Sequence, residues 1–358
     1  MNREAIDMFF RQQKKIQLVL VLAAALVSVS CVSTGSAPAD KNWGSRVPAQ
    51  PTPKAGAVTL KAPVLSFNDT GVSVSDGITR NGLWDVDSAD IDWEFSFDQG
   101  QTWTRGRGSS FEVKDDGAKM IWVRARDDAG NTSEIVSVGC VLDTQAPLPL
   151  TVTPQLDGLT NRLQLSDLEP GARWEYSLNG QAPWHVGSGP ALGVLGQGIT
   201  QVWLRQVDVA GNPSEAQAID LKSPSLLAHD ASGNPLQPSV LASGLQTYVI
   251  HGVGLRGDAD HVSWDVPQGQ MLMSFKLVHY ASDDFASYAL QPSKVFDAGM
   301  DTTRLLAFGQ ICPSDLNRNV LAITGPQGRG EGPMTLRFQQ NGPLPTPYAI
   351  ELTLAPAN

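Results

Sequence analysis

The sequence predicts an all-β protein, with two copies of one β module and then a third β domain of different pattern, behind a secretory signal and a flexible tether. Three observations carry this. Gly (34) and Pro (24) are abundant in the 358 residues and scattered, as in chains that turn often. A block of sequence recurs 81 residues downstream without a gap. Beyond the first thirty residues, apolar side chains alternate with polar ones at a period of two, and no 3.6-residue stripe is sustained. Charged residues make up 17% and the formal net charge is −10, so the chain is neither a charge-rich disordered protein nor a coiled coil. No basic cluster occurs beyond the N-terminus, and a nucleic-acid partner is not expected. Three cysteines cannot supply a disulfide framework.

Residues 1–30 read as an address. Arg3, Arg11, Lys14 and Lys15 outweigh Glu4 and Asp7, and the apolar run 18–27 (LVLVLAAALV) follows. A basic region, a short apolar core and small residues mark a secretory signal, and the run is too short for a membrane span of about 20 residues. Ser28-Val29-Ser30-Cys31 closes it. An ordinary signal would be cut near Ser30. The segment also resembles a bacterial lipobox, with small Ser30 directly before Cys31, although Ser28 stands where that motif usually has Leu. The resemblance implies that the Cys31 thiol carries a diacylglycerol and its amine a third chain. Two or three acyl chains, at about 0.8 kcal/mol per buried CH₂, hold a protein on a membrane. Val32, rather than Asp, follows Cys31, which by resemblance to Gram-negative sorting favours the outer membrane. The alternative is a secreted protein. Residues 31–60 are rich in Ser, Ala, Gly and Pro and read as a tether, with Trp43 its one large apolar side chain.

Two modules follow, at 61–145 and 146–224. Trp93-Glu94-Phe95-Ser96 matches Trp174-Glu175-Tyr176-Ser177, and Trp103 matches Trp184. Trp122-Val123-Arg124 matches Trp203-Leu204-Arg205, and Asp127 with Ala129-Gly130-Asn131 matches Asp208 with Ala210-Gly211-Asn212. Strands are expected at 93–97, 121–126 and 134–142, and again at 174–178, 201–207 and 216–221, with turns at Asp-Gln-Gly, Asn-Gly and Asp-x-Ala-Gly-Asn. About 80 residues holding six or seven strands is the size of a small sandwich. These motifs, with Ala62-Pro63, Ala146-Pro147 and the Asp-Gly-Ile/Leu-Thr runs, resemble the immunoglobulin-like repeats of bacterial surface proteins. The resemblance implies two tandem immunoglobulin-like β-sandwiches acting as spacers or adhesive units.

The repeated tryptophans are either core residues that encode the fold or exposed platforms on which sugars stack. The aspartates also admit two readings. Asp127, Asp143 and Asp208 lie at turns and at the junction of the modules, where calcium finds oxygen ligands. Alternatively they close the turns by side-chain-to-backbone hydrogen bonds. Cys140 matches Leu221, which favours a buried apolar role.

Residues 239–358 break the repeat. Eight strands are expected, at 247–253, 261–266, 271–279, 286–291, 305–310, 320–323, 334–339 and 348–354, as in a jelly-roll-like sandwich. Trp264-Asp265-Val266-Pro267-Gln268-Gly269, Gly332-Pro333-Met334 and Thr346-Pro347-Tyr348 resemble the bacterial pre-peptidase C-terminal domain, which implies a non-catalytic targeting or binding module. No Gly-x-Ser-x-Gly, His-Glu-x-x-His or Gly-rich phosphate loop is present, and the five histidines show no ligand spacing. The reading is a non-catalytic, lipid-anchored surface protein, a modular stalk presenting a C-terminal binding domain to a glycan or protein. The alternatives are an enzyme or enzyme accessory acting on envelope or extracellular polysaccharide, and a purely structural envelope component.

Overall fold

The computed structural model describes residues 59–88, 92–196, 198–222, 231–299, 301–321 and 330–357. The signal segment, Cys31, Trp43 and most of the tether lie outside the described residues. What is described is all-β, apart from two 3₁₀ turns and Leu321, which has helical backbone.

In the first repeat, a three-stranded sheet (Val64–Phe67, Leu83–Asp87, Ser110–Glu112) faces a five-stranded one. The latter runs in the order Ile78–Thr79, Val136–Leu142, Gly117–Ala125, Trp93–Ser96, Thr104–Arg105. Along Gly117–Ala125 the buried positions are Ile121, Val123 and Ala125, the period of two that the sequence shows. They meet Trp84, Trp93, Phe111, Cys140 and Leu142 between the sheets. Cys140 is buried and unpaired, and it lies in the core as Leu221 does in the second repeat.

Each repeat seats its core tryptophan on a Gly-x-Gly segment, Gly106-Arg107-Gly108 or Gly187-Ser188-Gly189. Gly106 N donates to Trp93 O at 2.8 Å, and Trp93 Nε1 donates to Gly108 O at 2.8 Å. In the second repeat Gly187 N donates to Trp174 O at 3.1 Å, and Trp174 Nε1 donates to Gly189 O at 2.7 Å. A Cβ on Gly106 would lie 2.3 Å from the Trp93 ring, and one on Gly187 would lie 1.8 Å from the Trp174 ring. The indole therefore needs bare backbone beside it.

The second repeat departs from the first at one edge. Its four-stranded sheet (His185–Val186, Arg173–Ser177, Gln201–Val207, Gln217–Asp220) has the same plan. The facing sheet (Thr151–Asp157, Thr160–Ser166, Ala191–Gly196) does not stop at its third strand. Ala191–Gly196 pairs in parallel with Thr247–Gly254, and Thr346–Pro356 and Gln270–Tyr280 continue the ladder to six strands. A further five-stranded sheet (Ser239–Val240, Asp260–Val266, Gly332–Gln340, Ala286–Gln291, Ala307–Ile311) covers the far face of this extension.

The sequence draws a boundary between 224 and 239, and the hydrogen-bonded sheet runs straight across it. Three layers result, with two cores. Leu163, Trp174, Leu192 and Leu204 pack with Val249, Val278 and Ala349 in the first core, and Tyr248, Ile250, Trp264 and Phe275 lie in the second. The strand Thr346–Pro356 serves both cores, with Tyr348, Ile350 and Leu352 on one face and Ala349 on the other. A strand buried on both faces reads as a near-continuous apolar run, and all six residues of Ala191–Gly196 are buried for the same reason.

One buried polar cluster lies in the first core. The Glu351 side chain has 0% exposure. Tyr176 OH donates to Glu351 Oε2 at 2.8 Å, and Lys276 Nζ donates to Oε1 at 2.9 Å. Among the strands expected in the C-terminal region, 320–323 is not one. Val320 and Leu321 are buried in the core without joining a sheet, and 322 and 323 lie outside the described residues.

The two repeats meet through loops. Thr70 Oγ1 donates to Ala210 O at 2.7 Å, and Val72 N donates to Val209 O at 3.3 Å. Gly71, at φ 109°, comes so close that a Cβ would lie 2.1 Å from Val209 O.

Candidate functional site

The duplicated tryptophans divide into two kinds. Trp93 and Trp174 are buried with Trp84 and Trp264, whereas Trp103, Trp122, Trp184 and Trp203 are half-buried. Strand register explains the split. In the first repeat, Trp93 stands opposite Ala125 on the core face, and Ser96 stands opposite Trp122 on the outer face. Glu94 stands between Arg124 on one neighbouring strand and Arg105 on the other.

These outer residues form a shelf. The Arg124 guanidinium lies 3.8 Å from the centroid of the Trp103 ring. Its Nε donates to Glu94 Oε1 at 2.6 Å, and Arg126 Nη1 donates to Oε2 at 3.3 Å. Gly100 sits between the indoles, since a Cβ there would be 3.3 Å from Trp122 and 3.4 Å from Trp103. The second repeat rebuilds the shelf. Arg205 lies 4.1 Å from the Trp184 ring centroid, and its Nη2 donates to Glu175 Oε2 at 2.7 Å. Arg173 Nε donates to Glu175 Oε1 at 3.1 Å.

A buried carboxylate is costly unless it is paired and hydrogen-bonded. Both Glu94 and Glu175 are buried, and each has one guanidinium on each oxygen. The second arginine comes from different places, two residues after Arg124 in one copy and two residues before Glu175 in the other. What recurs is carboxylate, arginine and indole side by side, with a second tryptophan, Trp122 or Trp203, standing opposite Ser96 or Ser177 in the strand pairing. Arginine held over an indole gains about 0.5–2 kcal/mol and fixes the ring's tilt. Chemically, the shelf offers partly exposed indole surface beside guanidinium donors.

The three aspartates singled out in the sequence do not converge. Asp127 Oδ1 accepts from Asn131 N at 2.7 Å and Oδ2 accepts from Asn131 Nδ2 at 2.7 Å. The Asn131 side chain is the first cause holding the Asp127 carboxyl below its usual pKa. Asp208 makes the same pair with Asn212, at 2.8 and 2.9 Å. Asn212 Nδ2 also donates to Asp143 O at 2.8 Å, which brings Asp143 and Asp208 together at the joint of the repeats. There, burial first and the charge of Asp208 next push up the Asp143 carboxyl, and the same two causes push up Glu169. Asp127 occupies the corresponding turn of the first repeat. Among the described residues, no three His, Cys, Asp or Glu side chains are grouped to hold a metal ion. His251 and His279, distant in sequence, face each other with ring centroids 6.5 Å apart, one on either side of Ala349 in the central sheet. Only the pairing of strands could reveal that proximity.

No protein-family model and no curated protein matches the chain. Several solved structures are similar to it at low level. A structure of carbohydrate-binding modules from the β-sandwich superfamily is 10% identical, with 84% of this chain and 94% of that chain covered and a TM-score of 0.22. The FN1–FN3 domains of chicken CNTN1 are 11% identical, covering 75% and 92%, with a TM-score of 0.16. The α-L-rhamnosidase of Dictyoglumus thermophilum is 8% identical at a TM-score of 0.22, and the match covers 84% of this chain and 49% of that one. At these scores the likenesses carry no argument about function, which rests on the chain's own residues.

Proposed function

We propose that this is a non-catalytic, lipid-anchored envelope protein whose repeats present a glycan-binding face. The observation that carries the reading is the twice-built shelf of Trp103, Trp122, Arg124 and Glu94, and of Trp184, Trp203, Arg205 and Glu175. Half-exposed indoles with hydrogen-bonding edges suit sugar rings, whose C–H faces are apolar and whose rims are polar. Two weak shelves in tandem favour an extended polymer over a single sugar, because the second contact is intramolecular once the first has formed. On this reading the contact is made by the repeats rather than by the C-terminal sandwich.

Affinity electrophoresis through gels containing soluble polysaccharides tests the face. We expect retention in at least one gel, weakened about tenfold by Trp103→Ala together with Trp184→Ala, equivalent to about 1.4 kcal/mol. A wild-type chain retained by none of them would remove the glycan reading. Anchoring is tested separately. Palmitate should label the wild type and leave Cys31→Ala unlabelled, and an unlabelled wild type would make the protein a secreted one.

A further inference from the structure

We infer that the open edge of the first repeat, Ser110–Glu112 and the residues just beyond it, accepts an extended strand from a partner polypeptide, running parallel to it with an aliphatic side chain directed between the two sheets. This lies on the opposite sheet from the tryptophan shelf and does not depend on it.

The second repeat supplies the precedent. Its strand Ala191–Gly196 occupies the positions that begin at Ser110 in the first, and there the edge is filled by Thr247–Gly254 in parallel. Val249 of that added strand enters the core of the repeat, and Leu178 is packed against the same cluster. In the first repeat nothing described pairs with the outer side of Ser110–Glu112, which is the last strand of its sheet. Phe97, at the position of Leu178, is left 48% exposed, and Met120 is 47% exposed. These two line a groove of about 320 Å³ with Val113, Lys114 and Lys119. The first repeat is thus open where the second is plugged.

The backbone is oriented for the task. Val113 N donates inward to Gly82 O at 2.8 Å, and Ser109 O accepts from Val86 N at 2.7 Å. Residues of that parity face the sheet, so the N–H and C=O groups of Ser110, Glu112 and Lys114 face outward, as an unpaired edge presents them. Strand addition takes its affinity from such main-chain groups and its specificity from alternate side-chain pockets.

Two differences between the repeats limit the occupant. Ala191, Gly193 and Leu195 let a whole sandwich cover the sheet, whereas Ser110, Glu112 and Lys114 present polar groups on that face. A single strand fits here and a third layer does not. Gly196 approaches so closely that a Cβ would lie 1.6 Å from His251 O, whereas the first repeat has Asp115 there, at φ 62°. The added strand therefore ends before the level of Asp115.

The test uses the full chain and a synthetic peptide copying Thr247–Gly254 as probe, read by hydrogen exchange across 109–115. The peptide should slow exchange there at least tenfold. Glu112→Pro removes one outward N–H and leaves the inward ladder intact, so it should abolish the protection. Phe97→Ser should weaken peptide binding about tenfold, with the melting temperature lowered by no more than the loss of its ring contacts with Phe95 and Phe111. Unchanged exchange with millimolar peptide, or protection that survives Glu112→Pro, overturns the inference. So does concentration-dependent dimerisation that Glu112→Pro abolishes, because the occupant would then be a second copy.

Discussion

Replacing Lys276 with methionine should destabilise the protein by about 3 kcal/mol, read as a lower urea midpoint for the unit that contains the second repeat and the C-terminal region. Glu351 is fully buried and holds Tyr176 OH and Lys276 Nζ, one on each oxygen. Removing one partner of a buried pair leaves the other uncompensated, typically at about 3–5 kcal/mol. The lower end applies because the Lys276 side chain keeps 30% exposure and is partly served by water already. The triple variant Tyr176→Phe, Lys276→Met, Glu351→Leu should behave oppositely. It removes every polar member of the cluster and keeps the volume, so it should range from neutral to about 1–4 kcal/mol more stable than the parent. A Lys276→Met protein as stable as wild type would show that the cluster has no energetic role in joining the layers. Acid should loosen the same seam. Burial first, then the charge of Lys276, keeps the His185 imidazole below its usual pKa against the pull of Glu351. The unfolded chain then binds the proton more readily, and stability falls as pH drops through about 6.5.

Local patterns in the sequence carry the repeats well, and the reason is physical. Ile121, Val123 and Ala125 alternate because a two-layer module has one wet face, so period two survives in the text. Trp93 and Trp174 recur because each fills the centre of its sandwich. The same identities hide the shelf. Trp103 and Trp184 are as faithfully repeated as the core tryptophans, and only the folded chain, which lays Arg124 and Arg205 over their rings, sets them apart. The turn reading of Asp127 and Asp208 is visible from Asp-x-Ala-Gly-Asn, because a side chain closing its own turn is a local event. The parallel pairing of Ala191–Gly196 with Thr247–Gly254 is non-local and leaves one trace, a strand with no polar position, Ala-Leu-Gly-Val-Leu-Gly. Nothing in that trace names the partner strand.

Differential scanning calorimetry should resolve two transitions in the full chain, and paired glycine substitutions should shift them separately. Gly106 and Gly187 do the same local work beside Trp93 and Trp174, so the chemical insult of an alanine is matched. Each Cβ must displace a buried indole, an effect comparable to the about 3–5 kcal/mol lost when a core aromatic is truncated. The consequences differ because the surroundings differ. The first repeat owns both of its sheets and touches its neighbour through loops, so Gly106→Ala should lower a small transition and leave the larger one in place. The second repeat shares a six-stranded sheet with the C-terminal region, and Val249, Val278 and Ala349 complete its core. Gly187→Ala should therefore lower the transition of the whole 146–358 unit as one cooperative event. A separate early transition confined to the second repeat would mean that the shared strands do not couple the layers. One cooperative transition for the whole chain would mean that the loop contacts at Thr70, Val72 and Asp143 bind the repeats far more tightly than their three hydrogen bonds account for.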